Sequence, residues 1–215
     1  MIGDQRMEPR RRGCGAEEAR VGRTAPPAPA RTAPPAPART APPADPGRDS
    51  EPPGMTTTAS ATREITTTAP LRRAWEIGTP LDPVGFYPKW GPLPEVQAVH
   101  GQTGGWDAPG QTRLLELSGG GSVRETVTRV DTPSLFIYDL TDFRGPLEKL
   151  VSGGRAAWRY MPDGDGTRVR WRYSFTAKPG AGAIVRGIVR FAWGPYMTRV
   201  LTGIGAELDR VGVER

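Results

Sequence analysis

Gly166-Thr167-Arg168-Val169-Arg170-Trp171-Arg172-Tyr173-Ser174-Phe175-Thr176-Ala177 is the stretch that decides the fold. Val169, Trp171, Tyr173 and Phe175 alternate with Arg168, Arg170, Arg172 and Ser174. Successive side chains of a strand point to opposite faces, so this strand has one apolar face and one wet face. An antiparallel sheet covered on a single side has that pattern. The cover comes next in the chain. After Lys178-Pro179-Gly180, the residues Ile184, Val185, Ile188, Val189, Ala192, Tyr196, Met197, Val200, Leu201, Ile204 and Leu208 recur at i, i+3 and i+4, with Arg186, Arg190, Arg199 and Asp209 on the other side. That spacing predicts a long amphipathic helix. Pro195 lies inside it and predicts a kink, because proline lacks the N–H and its ring collides with the preceding turn.

Working back toward the N-terminus, turn signals recur about every ten residues. They delimit strands at 95–103, 110–117, 122–130, 134–142, 153–161 and 167–177. Gly104-Gly105, Gly119-Gly120-Gly121, Asp131-Thr132-Pro133 and Asp163-Gly164-Asp165-Gly166 supply the turns. A first strand is predicted at Thr62–Thr68 from its β-branched residues. Pro70 suits the first turn of a helix through Leu71, Ala74, Trp75 and Ile77. Pro80, Pro83, Pro88, Pro92 and Pro94 then forbid a long helix, leaving short helical turns that carry Val84, Phe86, Tyr87 and Trp90 as a bulky cap. The predicted class is α+β: a curved antiparallel sheet of about seven strands around a long C-terminal helix, with two short helices after strand 1.

Residues 1–54 differ in kind. Half of the 24 prolines and none of the aromatics fall there, so the segment cannot bury enough apolar surface to offset the entropy of ordering. It repeats Thr-Ala-Pro-Pro-Ala-Pro-Ala-Arg at 24–31 and 32–39, a period too short for a solenoid and suited to extended polyproline II. The expectation is a disordered tail, with Met55 as the physiological start and 55–215 as the single domain. A Pro-rich tail that docks on aromatic grooves is the other reading. The 161 residues from Met55 onward suffice for one core, since a domain that size buries roughly 70% of its unfolded surface.

Charge and cysteine usage narrow the function classes. Nine arginines against seven acids give the tail about +2 of the net +6, and Arg10-Arg11-Arg12 is shorter than a nucleic-acid patch. Nucleic-acid binding is not expected. Cys14 stands alone, so no intramolecular disulfide forms. No apolar leader is evident, and Arg186, Arg190 and Arg199 interrupt the longest apolar run, so no membrane insertion is expected and the cytoplasm is the default location.

The order of strand, two short helical pieces, six antiparallel strands and a long final helix resembles the SRPBCC superfamily of helix-grip proteins. That superfamily joins START lipid-transfer domains, plant allergen-type proteins and polyketide cyclase/dehydrase-like proteins. Ile65 to Trp75, the run Gly166-Thr167-Arg168-Val169-Arg170-Trp171 and the terminal helix carry the resemblance, which covers about Thr62 to Arg210. It implies a hydrophobic small molecule held between sheet and helix. In some members it implies cyclisation or dehydration by polar cavity residues. No motif here selects one subfamily.

Candidate cavity residues follow from the faces. Trp158, Tyr160, Trp171, Tyr173 and Phe175 come first, with Phe136, Tyr138 and, on the helix, Tyr196 beside them. Tyrosines there can orient a ligand through the hydroxyl. Glu125 alternates with Val123 and Val127, and Arg113 with Leu115 and Leu117. Should the hairpin place 113 opposite 125, a charge pair enters the apolar face, where neither ion is tolerated alone. Such a pair binds a polar ligand group or serves proton transfer; a rim bridge, or a bulge that turns both to solvent, is the alternative. Candidate acid/base groups are Glu125, Tyr138 and His100. His100 is the only histidine, which argues against a two-histidine metal site and Ser-His or Cys-His machinery. Asp163-Gly164-Asp165-Gly166 lacks the glutamate a calcium loop needs at position twelve, which is Ser174. No metal or cofactor is expected. Asp142-Phe143-Arg144-Gly145-Pro146-Leu147 is an apolar loop, and Phe143 and Leu147 are expected to close the pocket.

Overall fold

A computed structural model describes residues 57–212. The tail readings and the Met55 start lie outside the described residues. In chain order the elements are β1 (Thr58–Thr67), α1 (Leu71–Gly78), β2 (Val96–His100), β3 (Thr112–Leu117), β4 (Gly121–Asp131), β5 (Leu135–Arg144), β6 (Val151–Asp163) and β7 (Gly166–Ala177). The final helix follows as α2 (Gly182–Ile188), a π turn over Val189–Trp193, and α3 (Gly194–Gly212). All seven strands form one antiparallel sheet in the order β1-β7-β6-β5-β4-β3-β2. This is the predicted α+β helix-grip class.

The alternation in β7 works as its sequence implies. Val169, Trp171, Tyr173 and Phe175 are all buried, and the intervening arginines are exposed. Arg170 and Arg168 pair with Glu64 and Asp163 on the outer face. The apolar face meets the helix, whose Val185, Val189, Tyr196, Met197, Val200, Leu201, Ile204 and Leu208 are buried. Asp209 pins the far end of α3 to the corner after β1. It accepts hydrogen bonds from Thr67 Oγ1 at 2.6 Å, Thr68 N at 2.7 Å and Thr68 Oγ1 at 2.9 Å.

Several boundaries depart from expectation, each for a physical reason. The second short helix does not form. Phe86 N and Tyr87 N both bond to Pro83 O, making one turn, and Pro88 then has no N–H with which to propagate it. Pro195 lies in the first turn of α3, not in the interior of one regular helix. The disturbance precedes it as the π turn, where Gly194 N–H reaches back to Val189 O and the wider turn relieves the proline ring. Ile184 is 56% exposed and so lies off the buried stripe. Strand β5 runs on to Arg144 through what reads as a loop. Asp142 adopts a left-handed conformation (φ 52°) and adds one residue to β5 where Ser122–Arg124 of β4 passes it. The inward series Phe136, Tyr138, Leu140 therefore resumes at Phe143, and Asp142 turns out to bond Arg124 at 2.9 Å.

Candidate functional site

The space between sheet and helix is divided in two. Toward α1 and α3 it is filled by aromatic side chains. Trp158 stacks on Trp171 with centroids 4.6 Å apart, and Trp75 meets Tyr160 edge-on at 5.3 Å and Phe136 at 6.5 Å. Toward the π turn the packing opens into a cavity of about 440 Å³. Ile188, Ala192, Trp193 and Tyr196 form its helical wall, and β2, β3, β4, β5 and β7 form its sheet wall. Phe143, near the end of β5, and Pro146 and Leu147, in the β5–β6 connection, also border it. That size lies within the range of small-molecule sites, and most of the lining is apolar.

Glu125 is the buried charged group in the sheet wall, which the exposed Arg144 also borders. Arg113 and Glu125 are register partners on β3 and β4, and Arg113 Nε donates to Glu125 Oε2 at 2.7 Å. Both side chains are buried, so the pair is neither at the rim nor rotated to solvent. Trp106 covers the arginine, with the guanidinium carbon 4.0 Å from the ring centroid. Burial pushes the Glu125 carboxyl above its usual range, and the Arg113 charge and hydrogen bond oppose that shift. Burial, foremost, and then the Glu125 charge hold the Tyr173 hydroxyl well above the ordinary phenol range. Tyr138 is raised by the same two causes. Tyr87 is also raised, first by burial and then by Tyr138 and Glu125. These phenols are neutral over the physiological range, and can donate or accept a hydrogen bond without becoming phenolates. Tyr196 Oη and Trp193 Nε1 are buried without a hydrogen-bond partner among the described residues.

The expected residues are thereby sorted. Glu125, Tyr138, Phe143, Leu147, Tyr173, Phe175 and Tyr196 border the large cavity. Arg113, Phe136, Trp158 and Tyr160 instead surround a separate void of about 30 Å³, which Tyr138 also touches. A void that size admits about one or two waters and no ligand. Trp171 is fully buried against Trp158 and borders neither space. His100 is a correction. It sits half exposed at the end of edge strand β2, with Nε2 2.7 Å from Glu116 Oε2, away from the cavity.

Trp193 and Trp106 are missing from the expected set. Trp193 follows Val189 by four residues, so helical spacing alone places it on the buried stripe. Trp106 carries a weaker signal, a large aromatic in a glycine-rich loop. Its inward position depends on a left-handed backbone (φ 61°) that spacing does not reveal. Pro92, Pro94 and Lys89 also border the cavity, from the irregular segment before β2.

Residues 58–209 match the family described as polyketide cyclase/dehydrase and lipid transport. The chain belongs to this family. The polyketide cyclase/dehydrase and lipid transport match spans every strand and nearly all of the final helix, and it places the chain in the SRPBCC superfamily. No curated protein matches the sequence. Among solved structures, truncated norcoclaurine synthase from Thalictrum flavum aligns at TM-score 0.53 and 17% identity, covering 74% of this chain and 96% of its own. The di-domain ARO/CYC StfQ from the steffimycin biosynthetic pathway aligns at 0.52 and 17%, covering 73% and 53%. Ara h 8.0201 aligns at 0.50 and 15%, covering 68% and 97%. At these identities the likeness is one of fold. No helix among the described residues is long and apolar enough to cross a membrane.

Proposed function

We propose that the protein binds a hydrophobic small molecule, such as a lipid, a polyketide or an aromatic compound, in the cavity between the sheet and the final helix. The carrying observation is the cavity of about 440 Å³, left open beside an aromatic half whose void is only about 30 Å³. A core of this kind ordinarily closes such space, because each unfilled methylene volume costs stability. The family description and the apolar lining support the same reading. Phe143 and Leu147 act as the closing side chains. Native mass spectrometry on freshly purified protein tests the proposal: an adduct lost on denaturation is expected. Absence of any adduct, together with no binding of apolar fluorescent probes, would overturn it.

A second reading, a cyclase or dehydratase, is favoured by one observation. Glu125 borders the cavity with its carboxyl raised above its ordinary value, by burial first and against the Arg113 charge and hydrogen bond, a shift in the direction that suits a general acid/base. Glu125 and Tyr138 would then be the acid/base groups. Turnover of a bound ligand that Glu125→Gln abolishes while binding persists would favour the enzyme over the carrier.

A further inference from the structure

On the reading that the cavity holds an apolar molecule, we propose that it selects ligands carrying a neutral hydroxyl at the inner end, with Glu125 Oε1 as the acceptor. Glu125 is 3% exposed and borders the cavity, so the group is built into the wall. An ionised carboxylate has sites for about four hydrogen bonds. Among the described residues Glu125 receives one, from Arg113 Nε onto Oε2. The neighbouring phenols of Tyr87, Tyr138 and Tyr173 feel its charge, yet none of them hydrogen-bonds to it. A buried acceptor left in this state gains most from an incoming donor.

Charge decides which donor. Arg113 neutralises Glu125 from behind, beneath Trp106, and does not border the large cavity. An ammonium therefore meets a pair of no net charge and gains little for its own desolvation. A carboxylate entering inner end first meets Glu125 and not Arg113, and is repelled. An ether or carbonyl there brings a second acceptor to an acceptor. Of these groups the neutral hydroxyl alone matches.

The test uses the full chain and two probes of one shape, 2-naphthol and its methyl ether 2-methoxynaphthalene, titrated by tryptophan fluorescence and calorimetry. The wild type should favour naphthol by about tenfold to a hundredfold, the value of a hydrogen bond to a charged acceptor. The double variant Arg113→Met/Glu125→Leu removes the acceptor without stranding a buried charge, and circular dichroism verifies its fold. It should bind both probes alike. Equal affinity of the wild type for both probes, or a naphthol preference that survives in the double variant, would overturn the assignment and leave cavity binding intact. Binding of neither probe would remove the cavity reading itself and this one with it.

Discussion

Arg113 and Glu125 stand opposite each other on β3 and β4, Nε to Oε2 at 2.7 Å, both turned into the core. A buried ion left alone is far less tolerable than a buried pair. Glu125→Leu or Arg113→Met by itself should lower unfolding stability by about 3–5 kcal/mol, and the double variant should recover most of that loss. Urea denaturation of the four proteins forms the cycle. Additive losses would show that the pair is not energetically coupled.

Filling the cavity should separate binding from folding. Ala192 lies on its helical wall and is only partly buried. Ala192→Phe places a ring in open space, so probe affinity should fall by roughly tenfold or more while overpacking stays below about 1 kcal/mol. Unaltered probe binding in a folded variant would move the site elsewhere.

Two glycines predict opposite outcomes. A Cβ built on Gly166 would lie 2.2 Å from Thr67 O, a backbone atom of the paired strand. Gly166→Ala should therefore destabilise by about 2 kcal/mol or more. Gly187, within α2, has open space where its Cβ would go. Gly187→Ala should stabilise by about 0.5–1 kcal/mol through helix propensity. Thermal melts of both variants check the pair.

Acid should act on the Asp209 clasp. Its carboxyl is held below the usual 3.8, first by the Thr67 hydroxyl, against the opposing effect of burial, and further by the Thr68 amide and hydroxyl. The folded state releases that proton more readily than the unfolded chain does. The contribution is thus present above 3.8 and fades as pH falls through the folded value. Glu125 runs the other way. Its folded value lies above 4.5, so it favours folding below 4.5 and loses that contribution as pH rises through the folded value. Asp209→Asn should flatten the loss of melting temperature below about pH 4. A wild-type slope in the variant would refute the clasp.

The fold was legible where a single rule operated. Period two in β7 and the helical stripe after it determine which faces meet, and Glu125 between Val123 and Val127 already announces a charge in the core. Register 113 to 125 was legible only as a condition, because alternation specifies a face and not a partner. The missing details are insertions into regular patterns. One extra residue at Asp142 moves the inward position to Phe143, and the π turn before Pro195 interrupts the 3.6-residue period that the spacing assumes. The cavity itself depends on which of many aromatic faces happen to touch. Trp158 and Trp171 touch, and so line nothing large; Tyr173 and Phe175, two and four residues further along, do border open space.

The strand order has a temporal side. Strand β1 occupies one sheet edge and pairs with β7, Thr67 opposite Thr167, while β2 takes the other edge. On the ribosome the opening strand must wait for about a hundred further residues before its partner exists, roughly 5–20 s at ordinary elongation speeds. Until then its amides face water or a chaperone, and a message cut short before β7 yields a nascent chain with no lawful place for its first strand.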